Sequence, residues 1–75
     1  MNPPKPEQIK ILRKTLGIKQ KEAADLVHVT IRAWQWWESG ERAIPLAVWE
    51  LFLIKVGFHP IYKEIQKNNN KIQFD

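Results

Sequence analysis

Between residues 6 and 57, apolar positions recur every three or four residues, the spacing of helices with one buried face. Ile9, Leu12 and Leu16 form the first stripe, and Lys10, Arg13 and Lys14 make up its charged remainder. Pro6 suits a first helical position, and Gly17 stops that helix just after Leu16. A second short helix is predicted over Gln20 to Val27, with Ala23, Ala24, Leu26 and Val27 inward and Lys21, Glu22 and Asp25 left for solvent. His28-Val29 then forms a tight turn, and the Thr30 hydroxyl can cap a third helix from Ile31 to Glu38. Ser39-Gly40 ends it, because Gly accepts the left-handed conformation that closes helices. After a short loop of residues 41–44, Pro45 opens a fourth helix that runs to about Val56 and is closed by Gly57. The pattern predicts an all-α bundle of four to five helices, four of them over residues 6–57, preceded by a loose arm (1–5) and followed by an extension (58–75) that would hold the fifth.

Two of these helices are unusual. On the third, at roughly 100° per residue, Ala33, Trp34 and Trp37 share one side, with Thr30 and Glu38 at its border. Arg32, Gln35 and Trp36 gather opposite, flanked by Ile31, so one face can pack while the other offers a guanidinium, an amide and an indole to a partner. The fourth helix is apolar nearly all round. Trp49, Phe52, Leu53 and Val56 suit the core, which leaves Ala47, Val48, Leu51 and Ile54 as a second stripe that would meet water. Such a helix on a small domain is expected to be covered, here by a second copy of the chain across Ala47, Val48, Leu51 and Ile54. The extension competes for that role: residues 60–67 fit a short helix, Asn68-Asn69-Asn70 a breaker, and residues 71–74 alternate as a strand would.

Gln20, Ala24, Val29, Thr30, Trp34, Trp37, Glu38 and Gly40 stand where the Cro/cI-type (XRE-like) helix-turn-helix family has Q-x3-A-x4-V-[ST]-x3-[IVW]-x2-[WLY]-E-x-G. The resemblance runs from about Ile9 to about Val56, and eight agreeing positions across helix, turn and helix make it fairly specific. It implies a lambda-repressor-like domain that binds double-stranded DNA, as a homodimer on an inverted-repeat operator. It also implies that Arg13 pairs with Glu38 to tie the first helix to the third, and that Gln20 touches a phosphate. The chain departs from the pattern at His28, where the family favours Gly, and at Lys19, where it favours a Thr or Ser cap.

Within that frame Arg32 is the expected base reader, since a guanidinium can bond guanine O6 and N7 together. Gln35 suits adenine or the DNA backbone equally. Trp36 suits thymine methyls and sugars, and its competing role is to lie partly covered beside Arg42. Ile31 falls at a base-contacting position and can meet only apolar atoms there. Thr30, Lys19, Lys21 and Arg42 join Gln20 as phosphate contacts, which position a protein without reading sequence. Trp34, Trp37 and Trp49 are expected in the core with Arg13 and Glu38.

Composition narrows the rest. A chain of 75 residues forms one domain and buries only about 60% of its unfolded surface, so an enclosed active site is not expected. Neither Glu22 with Asp25 nor Glu38 with Glu41 reads as a catalytic carboxylate pair, and no phosphate-loop or nucleophile motif is present. There is no cysteine, and His28 and His59 stand apart, so no metal, cofactor or small-molecule ligand is expected. The start MNPPKPEQ has no apolar run, and Leu46 to Ile54 is too short to cross a bilayer and contains Glu50. A cytoplasmic, non-enzymatic protein is expected. Of the net charge of +4, residues 1–28 hold six basic against three acidic side chains, so the excess lies on the first two helices, where phosphates would lie. An ordinary solvated basic face would look the same. The expected function is transcriptional repression of the phage or mobile-element type, with anti-CRISPR-associated (Aca-type) autorepressors favoured by the resemblance. An antitoxin autorepressor, or a protein-interaction module using the Arg32/Trp36 face, is the alternative.

Overall fold

The computed structural model describes residues 2–57, which form helices α1 (Pro6–Thr15), α2 (Gln20–Leu26), α3 (Ile31–Ser39) and α4 (Leu46–Val56). No strand occurs among the described residues. The fold is all-α, as the hydrophobic spacing predicted, with each boundary within a residue or so of the expected one. The features expected in residues 58–75, including a fifth helix and a dimerisation element, lie outside the described residues.

The helix ends have local causes. Pro6 occupies the first turn of α1, and the Lys5 amide donates to Gln8 Oε1 at 2.7 Å. The same device opens α2. Lys19 supplies no side-chain cap, but its amide donates to Glu22 Oε1 at 2.8 Å, which is half of a capping box. Glu22, expected merely to face solvent, thus offsets the missing Thr or Ser cap. At α3, Thr30 Oγ1 accepts from the Ala33 amide at 3.2 Å, and Gly40 closes the helix at φ 86°.

His28 holds φ 61° in the turn between α2 and α3, a region that non-glycine residues seldom occupy. The reversal lets the Val29 amide donate back to Ala24 O at 3.0 Å. Lys55 of α4 reaches across to the same turn, donating to Leu26 O at 2.6 Å and lying 3.1 Å from His28 Nε2.

α3 packs on α1 and α2, and α4 packs on α2. Ala23 and Ala24 are wholly buried, and their small side chains let α3 approach α2 closely. The core is otherwise aromatic. Trp34, fully buried, meets Trp37 edge-on at 5.7 Å between ring centroids and Phe52 at 5.0 Å; Phe52 in turn stacks with Trp49 at 5.6 Å. Rings of this size bury about 150–250 Å² each, which lets a small domain build a sufficient core. Ile44, in the loop before α4, also inserts into it.

The second α4 stripe is less open than its sequence suggests. Val48 and Leu51 are half-buried and pack on the core, Ile54 is half-buried, and only Ala47 is exposed. Among the described residues, the large apolar side chains left exposed are Ile11 and Ile31, neither of them on α4.

Candidate nucleic-acid interface

The outer face of α3 is positioned from beneath by one carboxylate. Glu38 is buried, and the Arg13 guanidinium grips it with two hydrogen bonds, Nε to Oε2 at 2.5 Å and Nη2 to Oε1 at 3.1 Å. Trp34 Nε1 donates to Oε2 at 2.5 Å, and Gln20 Nε2 donates to Oε1 at 3.1 Å. Arg13 also donates to Ile18 O at 2.9 Å, fixing the connection between α1 and α2. Burial alone would raise the Glu38 pKa. The hydrogen bonds from Arg13, Trp34 and Gln20, with the guanidinium charge, outweigh it and hold the carboxyl below the ordinary glutamate value.

This cluster is connected to the surface through Gln20. An ionised carboxylate only accepts, so Gln20 must turn its NH2 toward Glu38. Its Oε1 is then left to accept from Gln35 Nε2 at 3.3 Å, which leaves the Gln35 carbonyl free to face outward.

On the outer face, Arg32, Gln35 and Ile31 are exposed, whereas Trp34, Trp37 and Glu38 are buried beneath them. Thr30 is exposed and serves as the cap of α3. Trp36 is half-buried against the core, with the Arg42 guanidinium 3.9 Å and the Arg32 guanidinium 5.5 Å from its ring centroid. Lys19 and Lys21 are exposed on α2 and its cap, Lys21 in a 3.5 Å ion pair with Asp25. That pair is solvated on both sides, so it is worth little and leaves Lys21 available.

The structure therefore gathers Arg32, Gln35, Trp36 and Arg42 on one face, with Gln20 linked to it by hydrogen bonding. Ala47, Val48, Leu51 and Ile54 belong to α4. Two contributions were not visible in the chain: the Gln20–Gln35 contact, and the Lys55 bond to Leu26 O. Glutamine and lysine satisfy a polar position equally well in water or against a neighbour, so periodicity carries no signal for either. Among the described residues, no three His, Asp or Glu side chains are grouped so as to hold a metal ion. No described helix is long and apolar enough to cross a membrane.

The sequence over residues 7–60 matches the family model of the helix-turn-helix domain. The chain is also similar to the type II methyltransferase M.MspI of Moraxella sp, with 33% identity over 73 residues. That alignment takes in 95% of this chain but only 14% of the methyltransferase, so the chain spans a small part of that relative's length. With the family match covering well over half of its residues, on a fold whose α2, turn and α3 have the geometry described above, the chain belongs to the helix-turn-helix domain family, whose fold is a recurrent DNA-binding motif.

Proposed function

We propose that this domain binds double-stranded DNA sequence-specifically and represses transcription, two copies meeting an inverted repeat in the promoter of its own gene. One observation carries it. α3 buries Trp34, Trp37 and Glu38 and thereby turns Arg32, Gln35 and Ile31 outward together, on a helix short enough to lie in a major groove. Arg32 reads guanine and Gln35 reads adenine, with Ile31 against a thymine methyl. Gln20, Thr30, Lys19, Lys21 and Arg42 meet phosphates. The chain contributes binding and no chemistry, and acts in the cytoplasm. Its resemblance to Cro/cI-type proteins favours a phage or mobile-element setting of the anti-CRISPR-associated kind. An antitoxin controlling its own operon is the closest rival.

A second reading has support from the similarity to a type II methyltransferase: the same module can serve as a DNA-docking segment working with a methyltransferase. The test is selection from a random duplex library, followed by anisotropy titration of the recovered duplex beside a scrambled one. Strong preference for the recovered duplex, lost in Arg32→Ala, supports base readout. Equal, weak binding to both removes it and leaves a protein-interaction role through the Arg32/Trp36 face. A recovered sequence lying across the chain's own promoter favours the repressor; one coinciding with the site that a neighbouring methyltransferase modifies favours the docking segment.

A further inference from the structure

We infer that Trp36 is a positioning residue, which holds the Arg42 guanidinium ready for a backbone phosphate, so that Arg42 and not the indole is what touches DNA. This rests on the DNA-binding reading above.

The backbone sets up the contact. The Trp36 carbonyl accepts from the Gly40 amide at 3.1 Å, from the Arg42 amide at 3.3 Å and from Ser39 Oγ at 3.1 Å. These bonds fold the chain after α3 back over its last turn, and Arg42 starts beside the Trp36 ring. Gly40 permits the fold at φ 86°, and a Cβ there would already touch Pro6 Cγ at 3.4 Å. Trp36 is itself anchored, half-buried against the core.

The side chains complete it. At 3.9 Å from the ring centroid, the Arg42 guanidinium occupies one face of the indole, well inside the roughly 6 Å reach of a cation–π contact. A base or thymine methyl cannot use that face while Arg42 holds it. The guanidinium carries its N–H donors around the edge of its plane, where a phosphate can take two of them at once. Arg42 is exposed, and no carboxylate pairs with it among the described residues. Arg32 approaches the same ring more loosely, at 5.5 Å. One indole therefore stands beside both guanidiniums of the outer face.

The test has two arms. In the free protein, NMR relaxation of the Arg42 side-chain Nε–H reads the tether without any DNA. A restrained group in the wild type and in Trp36→Phe, released in Trp36→Leu, supports the inference; a fully mobile group in the wild type overturns it. Thermal melts confirm that both variants fold. In the second arm, Trp36→Leu, Arg42→Gln and the double variant are titrated by anisotropy against the duplex recovered by selection and against a random duplex. Trp36→Leu is expected to weaken both duplexes by roughly 2- to 30-fold, the span of cation–π energies, and Arg42→Gln, which removes the phosphate contact itself, by at least as much. The double variant should then be no weaker than Arg42→Gln. Losses that multiply, or a change in base preference with Trp36→Leu alone, overturn the positioning role. A wild-type protein that binds neither duplex overturns the DNA reading and the phosphate role with it, while the relaxation arm still decides the tether.

Discussion

Glu38 receives four hydrogen bonds from three side chains, and its protonation state matters accordingly. Its folded-state pKa lies below the unfolded value, so the unfolded chain binds its proton more readily. The stability this provides is present above the unfolded pKa and is lost as pH falls through the folded one. Denaturant midpoints should therefore drop as pH is lowered below the ordinary carboxylate range, and Glu38→Gln should flatten that dependence. Arg13→Met leaves the carboxylate buried without its cation and should cost about 3–5 kcal/mol, read from urea unfolding followed by circular dichroism. His28 is the second residue whose effect is local. At φ 61° a β-branched side chain is strained, so His28→Val should destabilise by about 1–3 kcal/mol. His28→Gly should leave the melting temperature unchanged or higher.

α2 has 7 residues and α3 has 9, both shorter than the roughly 12–15 an isolated helix needs in water. They persist because caps and neighbours satisfy their ends. Lys55 is an example, since α4 uses it to bond the carbonyl of Leu26, the last residue of α2. Lys55→Met should lower stability by about 0.5–1.5 kcal/mol, the net value of one such bond, and should increase amide exchange in the His28 turn before anywhere else. The contact between α2 and α3 also orients a side chain of the outer face. Through Gln20, the acceptor-only Glu38 dictates which end of the Gln35 amide is presented. Gln20→Met keeps the length of the side chain but loses that orientation. Binding assays over single-base variants should then show relaxed discrimination at the same base pair as Gln35→Met. A Gln20 that touched only phosphate would weaken all duplexes alike.

For the molecule as a whole, the proposed DNA contact through the basic side chains of α1 and α2 and the outer face of α3 should depend on salt as well as on sequence. The logarithm of the binding constant should fall linearly with the logarithm of salt concentration. Lys21→Ala should lower that slope by about 1 without altering base preference. Assembly belongs to this scale too. Because Val48 and Leu51 are already half-buried in one chain, α4 offers a second copy a narrower apolar surface than its composition implies. If two chains meet an inverted repeat, sedimentation should find two per duplex. The melting temperature should rise with protein concentration only if the free protein also dimerises.

Much of this was written into the chain locally. The 3.6-residue spacing, Pro6, Thr30 and the three glycines set where helices begin and end, because those effects act within a few residues. The assignment of Trp34, Trp37 and Trp49 to the core followed from the same spacing. Tertiary structure decided which partners the ambiguous side chains found. Gln20 and Glu38 are 18 residues apart and Lys55 and Leu26 are 29 apart, and Trp36 fits the pattern equally as a base contact or as a seat for Arg42. Side chains with an apolar body and a polar tip satisfy a helical pattern in either orientation. Only the neighbours that the folded chain brings up, another helix for Gln20 and Lys55 and the loop after α3 for Trp36, select between them.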